Sequence, residues 1–492
     1  MDSAAAKGKG VVIFGGGTAT NSLVDIFNDL RESRACTLSY VIPISDNGGS
    51  SSELIRVFGG PGIGDIRSRL VRLIPASPEG NADLSATKAL FNYRLSSDAN
   101  AARSEWLDIV EGRHEIWTDI SSEKKELIRP FFNHVNMEIV KRARPSSTFN
   151  FGRAAVGNLF LTGARIFLGS LESAIYLLSQ ICAIPPQTLV LPAINTSFTH
   201  HISAGLADKT VITGQNAISH PSAPTSLPDN GAAGQSATAA DQQQAEETDD
   251  HDLIEDANLP GSLPTLRKQY IEFSKSGEED LSTRIERVWY INPYGHEIRP
   301  RANPKVLDAV AGAGAVIYSI GSLYTSLVPS LILRGVGAAI AARPRGVVKV
   351  LILNSSLDRE TGPSSDPFSA ADFVRAIVRA LQESQAGDVR QEGVKEGEGI
   401  AGGNGNSSSS SSSISADEVR KYVTHLIHLD GDGTPKVDRD ELASLGVEPV
   451  RVYGRRVDGM LRYDEGGLIR AIEAVIGTGR EIMGRSRRNT KQ

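Results

Sequence analysis

Apolar and polar positions alternate along this chain in a way that predicts strands and helices in strict succession. VVIF (Val11 to Phe14) reads as a short buried strand, GGGT follows, and in TNSLVDIFNDL the residues Leu23, Ile26, Phe27 and Leu30 fall at i, i+3, i+4 and i+7, one face of an amphipathic helix. A second apolar run, LSYVIPI, ends just before Asp46, and the helical pattern DIRSRLVRLI follows Gly64. Strand, glycine turn, helix, strand, helix is the start of a βαβα order, and it predicts an α/β fold built on a parallel sheet. Further strands are expected at TLVLPAI near Val190, KTVITG near Ile212, AVIYSI near Ile317, VVKVLIL near Leu351 and THLIHL near Ile427. Residues 154–182 read as a largely buried helical stretch, and residues 96–147 as a charged helical insertion.

The pattern lapses in two places. From 219 to about 264 the chain is rich in Ala, Gln, Asp, Ser and Pro, and from 386 to about 413 it holds EGVKEGEGIAGGNGN and a serine run. Neither can bury enough apolar surface to offset the entropy of ordering it, so both are expected to be disordered loops. The expected organisation is a tail at 1–9, one α/β domain over 10–478 carrying the insertion and both loops, and a basic tail at 479–492. That tail, RSRRNTKQ, reads either as a solvated end or as a weak nuclear-localisation patch.

Composition changes this picture only at the margins. Forty-eight glycines in 492 residues are an excess that needs a reason. A net charge of −6 offers no basic surplus for nucleic acid or an anionic membrane, so neither partner is expected. Ala309 to Leu333 is uncharged and long enough to span a bilayer, but its glycines, hydroxyls and Pro329 would strand backbone groups in lipid; strand, polar loop and buried helix fit it better. The opening MDSAAAKGKG lacks the apolar core of a secretory signal. Cys36 and Cys182 are far apart in apolar runs, which suits a reduced, cytoplasmic setting and inert core thiols.

Candidate chemistry gathers where strands give way to helices. Gly15, Gly16, Gly17 and Thr18 follow the first strand; there the glycines either admit phosphate to backbone N–H groups or simply make a tight turn, and a dinucleotide fingerprint fails because Thr20 stands at its third glycine. After the second strand come Asp46, Gly48, Gly49, Ser50 and Ser51, and after a further glycine loop Asp65 opens a helix. Singly, Asp46 reads as a turn residue and Asp65 as a helix cap. Together, at consecutive strand exits of a parallel sheet, they converge on its carboxyl edge, and oxygen ligands with phosphate are what Mg²⁺ prefers. A third such loop is GSLYTS: Gly321, Ser322, Thr325 and Ser326 offer phosphate or sugar contacts and Tyr324 a surface for a base, unless Ser322 merely caps a helix. Asn158, on an apolar helical stretch, is either a satisfied core amide or a ligand contact. His200 and His201 have no partner at metal-ligand spacing, and His220 stands at the edge of an expected disordered loop, so none is assigned chemistry.

The order GGGT, SDNGGSSSELIR, GPGIGDIRSRLVRL, VGNLFLTGAR and GSLYTSLVPSLIL, spread over most of residues 10–380, resembles the 2-phospho-L-lactate transferase family, CofD, and more closely its YvcK branch, the gluconeogenesis factors. The resemblance implies a Rossmann-like, mostly parallel sheet with helices on both faces that binds a GDP-type or UDP-type nucleoside diphosphate. Transferases of the family move phospholactate from a guanosine diphosphate conjugate to a deazaflavin alcohol with Mg²⁺, whereas YvcK proteins resemble UDP-sugar-binding regulators of carbon metabolism and cell shape. Carried over by position, it implies metal-side acids at Asp46 and Asp65, phosphate loops at Gly15–Thr18 and Gly48–Ser51, a Gly-Asn motif at Asn158 and a second nucleotide loop at Gly321–Ser326. This chain departs from the branch in having Ser319 and Ile320 for Gly-Pro, Asn47 for a second acid, and Gly214–Gln215 for an expected Gly-Glu. A transferase and a non-catalytic regulator both remain open, as does a homo-oligomer.

Overall fold

A computed structural model of the chain describes residues 8–45, 50–75, 82–144, 148–219, 263, 280–392, 414–457 and 459–488. Asp46, Gly48 and Gly49, and most of the two low-complexity segments, lie outside the described residues.

Seven strands form the central sheet: β1 (Gly8–Phe14), β2 (Cys36–Ile42), β3 (Thr188–Pro192) and, later in the chain, β8 (Ala313–Tyr318), β9 (Val348–Ile352), β10 (His425–His428) and β11 (Glu448–Arg451). Their order is β11-β10-β9-β8-β1-β2-β3 and every neighbouring pair is parallel. Helices occupy the crossovers, and the inner strands are buried along most of their length, which is why they read as largely apolar runs rather than alternating ones. The chain works outward from β1 in both directions, so the sheet changes direction between β1 and β8, the point where open α/β sheets leave a crevice for ligands.

Register makes that crevice. Phe14 pairs with Val41 on one side and with Tyr318 on the other, and Tyr318 pairs with Leu351. The strands therefore end level, and the loops that leave them emerge side by side.

The predicted first helix is two: Gly17–Asn21, then Val24–Arg34, whose buried Val24, Ile26, Phe27 and Leu30 face the sheet. Full burial of side chains such as Phe27 and Leu30 contributes about 1.5–3 kcal/mol each. The buried stretch near 154–182 resolves into helices Val156–Leu168 and Leu171–Ile181, and residues 96–147 contain Ala99–Glu111 and Ser122–Arg142, joined to the former by edge-on contacts of Phe132 with Trp106 and Phe160. The segment at 309–333 is strand, loop and helix, and among the described residues no helix is long and apolar enough to cross a membrane. Helix Ala370–Glu392 runs past residue 386, and the last helix, Glu465–Arg488, runs past 478.

The sequence pattern gives no sign of a second, antiparallel sheet. Residues near Ile212 do form a strand, but outside the main sheet: β4 (His201–Leu206), β5 (Val211–Thr213), β6 (Ile285–Ile291) and β7 (Glu297–Ile298) pair in the order β5-β4-β6-β7. Tyr324 Oη donates to the Ile285 carbonyl at 2.9 Å and Tyr290 Oη to the Pro329 carbonyl at 3.0 Å, pinning this sheet to the segment after β8.

That segment continues into helix Val336–Ala341, which lies against Ala370–Glu392 with no room for a side chain. A Cβ at Gly337 would stand 1.9 Å from the Leu381 carbonyl oxygen, and the Gly337 N–H donates to Ser384 Oγ at 2.9 Å. Gly337→Ala should therefore lower stability by about 1–3 kcal/mol through enforced separation of the helices. Urea unfolding against the wild type checks it, and an unchanged midpoint would refute the close contact.

Candidate functional site

The site is assembled from four loops at the carboxyl edge. The Gly15 N–H donates to the Val41 carbonyl and the Ser319 N–H to the Phe14 carbonyl, so the turns after β1, β2 and β8 are stitched together at their first residues. Thr20, where a dinucleotide fingerprint would have glycine, is buried and donates from Oγ1 to the Ile320 carbonyl at 2.7 Å. A side chain at Gly15 would strike that hydroxyl at 2.6 Å. The threonine thus substitutes a tie between two loops for the close helix approach a third glycine would permit.

Asp65 is the acid of this crevice. It does not cap its helix: the cap position of Gly64–Arg72 is Ile63, with no side-chain bond. Its carboxylate reaches across to the first glycine turn instead, where Gly17, in the left-handed region at φ +38°, donates its N–H to it. A Cβ at Gly16 would lie 2.6 Å from Asp65 Oδ2 and 3.3 Å from Pro43 Cγ, so Gly16 is bare because the carboxylate and the β2 loop occupy its side-chain space. Asp65 keeps some solvent access, yet desolvation raises its pKa, opposed by the Gly17 N–H and then by Arg69 and Arg67.

Asn158 resolves into a definite role. Its Oδ1 accepts from Arg67 Nε at 3.3 Å, while Asn92 Oδ1 accepts from Arg67 Nη1 at 3.2 Å. Gly157 beside it is bare because a Cβ there would lie 2.9 Å from Arg67 Cγ and 2.5 Å from the Phe91 carbonyl oxygen. The Gly-Asn pair makes room for the arginine stem and holds its head.

The loop after β8 is arranged differently from the phosphate-binding expectation. Gly321, at φ +145°, donates its N–H to Asn354 Oδ1 at 2.8 Å and accepts Asn354 Nδ2 at 2.9 Å. The N–H groups of Tyr324 and Thr325 both donate to Glu360 Oε2, at 2.9 and 3.0 Å, and Thr325 Oγ1 donates to Glu360 Oε1 at 2.5 Å. A protein carboxylate stands where an anion would bind. Tyr324 is buried, its ring edge-on to Phe368, so it is no surface for a base. Ser322 occupies the cap position but makes no side-chain cap; its hydroxyl bonds Asp358 instead. Ser322 and Ser326 are half-buried.

On the β2 side, Ser50 starts helix Ser50–Phe58 and Ser51 is buried within it. Gln215, in place of the expected acid, accepts from Ser45 Oγ at 3.3 Å. His201 is buried in β4, and burial drives its imidazole down to about 4.

Sequence reasoning missed Asn354, Asp358, Glu360 and Arg67. The first three follow β9, a strand that was expected, so polar residues in its exit loop were the available signal. Glu360 is buried and also accepts from Ser219 Oγ at 2.8 Å, joining the β8 loop to helix Gln215–Ser219. Burial pushes its pKa up to about 7, and the neighbouring Asp358 reinforces the shift.

The sequence profile of the family described as 2-phospho-L-lactate transferase CofD matches residues 11–451. The chain is 41% identical to Uncharacterized protein YNL011C of Saccharomyces cerevisiae over 394 residues, 78% of this chain and 85% of that one. It is 36% identical over 108 residues to a Putative gluconeogenesis factor of Deinococcus radiodurans, 22% of this chain and 21% of the other. Two crystal structures of BH3568 from Bacillus halodurans, a member of the UPF0052 family, superpose with a TM-score of 0.54 at 18% identity, covering 95% of this chain and 99% of theirs, a likeness of fold.

Because the folded state holds the Glu360 proton more tightly than the unfolded chain, its contribution to stability is complete below the ordinary value of 4.5 and is lost as pH rises to about 7. Glu360→Gln keeps the acceptor for the two backbone N–H groups and removes the titration. Between pH 4.5 and 8 the wild type should lose about 3 kcal/mol relative to that variant. Thermal melts of both proteins across this range check it; parallel pH curves would refute it.

Proposed function

The chain belongs to the 2-phospho-L-lactate transferase CofD family, and from that premise we propose that it binds a nucleoside-diphosphate-linked donor across the β1/β8 crevice and transfers the donor's phosphorus-bearing group to a hydroxyl acceptor. The observation that carries this reading is the Asp65 carboxylate lodged against the bare backbone of Gly16 and Gly17 at the point where the sheet changes direction. A cation-bridged diphosphate needs an acid able to hold the ion beside a glycine turn; Asp65 supplies that acid, and because it already takes the Gly17 N–H, the ion rather than that N–H would carry the phosphates.

Mg²⁺ takes one or two carboxylates and completes its shell with phosphate oxygens and water. Among the described residues no three His, Cys, Asp or Glu side chains gather as a metal site, but a single carboxylate with solvent access fits that sparse requirement. Asp65 would hold the ion from this side, with Asp46 as the second acid in the reading. Bound there, Mg²⁺ would offset the charge of the diphosphate and of the departing monophosphate. In the transfer the acceptor oxygen bonds to the donor's outer phosphorus, the bridging P–O bond breaks with its electron pair leaving on the nucleoside monophosphate, and the hydroxyl proton passes to a base. Asp65 anchors the reacting centre from below the glycine turn, and Asn158 fixes Arg67 on the same helix. The two buried, unbridged cysteines support a reducing, cytoplasmic setting.

One observation favours the second reading, a nucleotide-sugar-binding regulator. Glu360 already takes the donors of the β8 loop, which leaves fewer N–H groups to stabilise charge growing on a leaving phosphate. The choice rests on turnover. With Mg²⁺ and a phospholactyl-GDP-type donor, Asp65→Asn should cut monophosphate release at least about 100-fold while GDP affinity changes only severalfold, because the ion's stabilisation grows in the transition state. Gly16→Val should abolish GDP binding. Binding without release from any donor would leave the regulator, and no calorimetric binding of GDP or UDP at millimolar concentration would defeat both readings.

A further inference from the structure

Arg69 is a buried cation without an acid of its own. It is 1% exposed, and its guanidinium stacks over the ring of Tyr40, a buried residue of β2, at 4.5 Å from the centroid. Its Nε and Nη1 make no hydrogen bond, and among the described residues no carboxylate stands within ion-pair distance of it. A charge buried in this way is costly unless a counter-charge lies near. The helix supplies one. Arg69 follows Asp65 by four residues on Gly64–Arg72, which puts both side chains on one face with the acid one turn nearer the crevice. The sheet sets the same order, because Tyr40 lies three residues before Pro43, which bounds Gly16 together with the Asp65 carboxylate. Arg67, the neighbouring cation, has its head on Asn158 and Asn92, and of the two charges that of Arg69 acts more strongly on Asp65.

The Asp65 charge is thus answered from inside the fold by the Gly17 N–H, by its place in the first turn of a helix and by Arg69. A divalent ion arriving alone meets an acid already compensated and a fixed positive charge one turn below it. A metal-bound diphosphate meets neither obstacle, since its phosphate oxygens carry negative charge of their own. From this arrangement we infer that Arg69 is a positioning residue that acts through Asp65 and makes cation binding conditional on the diphosphate: the empty protein holds the ion weakly, and ion and diphosphate enter together. The inference rests on the donor-binding reading above and adds an order of assembly to it.

Mn²⁺, which suits the same oxygen ligands as Mg²⁺, tests this without turnover, because electron spin resonance measures its free form. In the full chain without nucleotide, the wild type should bind Mn²⁺ no more tightly than about millimolar. Arg69→Met keeps an unbranched stem over Tyr40 and should bind it at least about tenfold more tightly. Arg69→Lys restores the charge and should return the wild-type value, and the gain should vanish when Arg69→Met is combined with Asp65→Asn. Calorimetric affinity for Mg·GDP should change only severalfold in Arg69→Met, because the net charge of that complex is small. Equal Mn²⁺ affinity in wild type and Arg69→Met, a gain that survives Asp65→Asn, or a Mg·GDP affinity that rises in step with it would overturn the inference. If Arg69→Met does not fold, the wild type decides: tight Mn²⁺ binding without nucleotide that Asp65→Asn removes overturns the inference, and weak binding upholds it. Failure of Mg·GDP to bind any of these proteins counts against the donor reading, and the Mn²⁺ comparison still decides the role of Arg69.

Discussion

The contact between the Asp65 carboxylate and the bare backbone of Gly16 and Gly17 is the constraint on which the rest of the carboxyl edge depends. It requires the first glycine turn to lie within hydrogen-bond reach of a helix that starts after β2, and this follows from β1 and β2 ending level. It leaves Gly16 no space for any side chain, with Pro43 closing the other side. It also fixes the helix that carries Arg67 and Arg69, and through Arg67 the start of helix Val156–Leu168. Burial opposes ionisation of Asp65, so the fold holds a carboxyl group that gains from a hydrogen-bond donor or a cation placed beside it.

Across the crevice, the same kind of turn has been given a different use. The β8 loop offers N–H groups at a helical start, but the chain supplies its own anion in Glu360, and Asn354 takes both polar groups of Gly321. Glu360 draws in Ser219, while Tyr324 and Tyr290 fasten the second sheet to the same segment. Both sides of the crevice thus hold a carboxylate of the chain against the backbone of a glycine turn, Glu360 on the β8 side and Asp65 on the β1 side, and of the two Asp65 keeps solvent access. This asymmetry also divides the glycines: Gly16 and Gly157 are bare because another residue's side chain occupies their space, whereas Gly17 and Gly321 adopt left-handed backbone that favours glycine.

Much of this architecture is legible in local pattern because local physics sets it. Short, largely apolar runs such as VVIF, AVIYSI and VVKVLIL read as strands buried on both faces, and their alternation with helical periods predicts a parallel sheet before any pairing is known. The glycine-rich turns and Asp65 are visible for the same reason: bare backbone and an acid at a strand-to-helix junction stand out in any window of a few residues. The second sheet was harder to read, since its strands are separated by a low-complexity stretch and pair across it, β4 with β6.

What only the tertiary structure decided is which of these features meet. Asp65 has the sequence position of a helix cap, and whether it caps or reaches to Gly17 depends on a turn some fifty residues earlier in the chain. Tyr324, Thr325 and the N–H groups beside them look free in GSLYTS, and they are engaged only because β9 runs next to β8 and delivers Glu360. Arg67 reads as one more charge on an amphipathic helix until Gly157 and Asn158 are folded against it. Side-chain periodicity and turn chemistry act over a few residues, so the sequence alone determines the elements and the places where backbone is exposed; partners for buried charges come from strand order and register, which bring together residues that no local pattern relates.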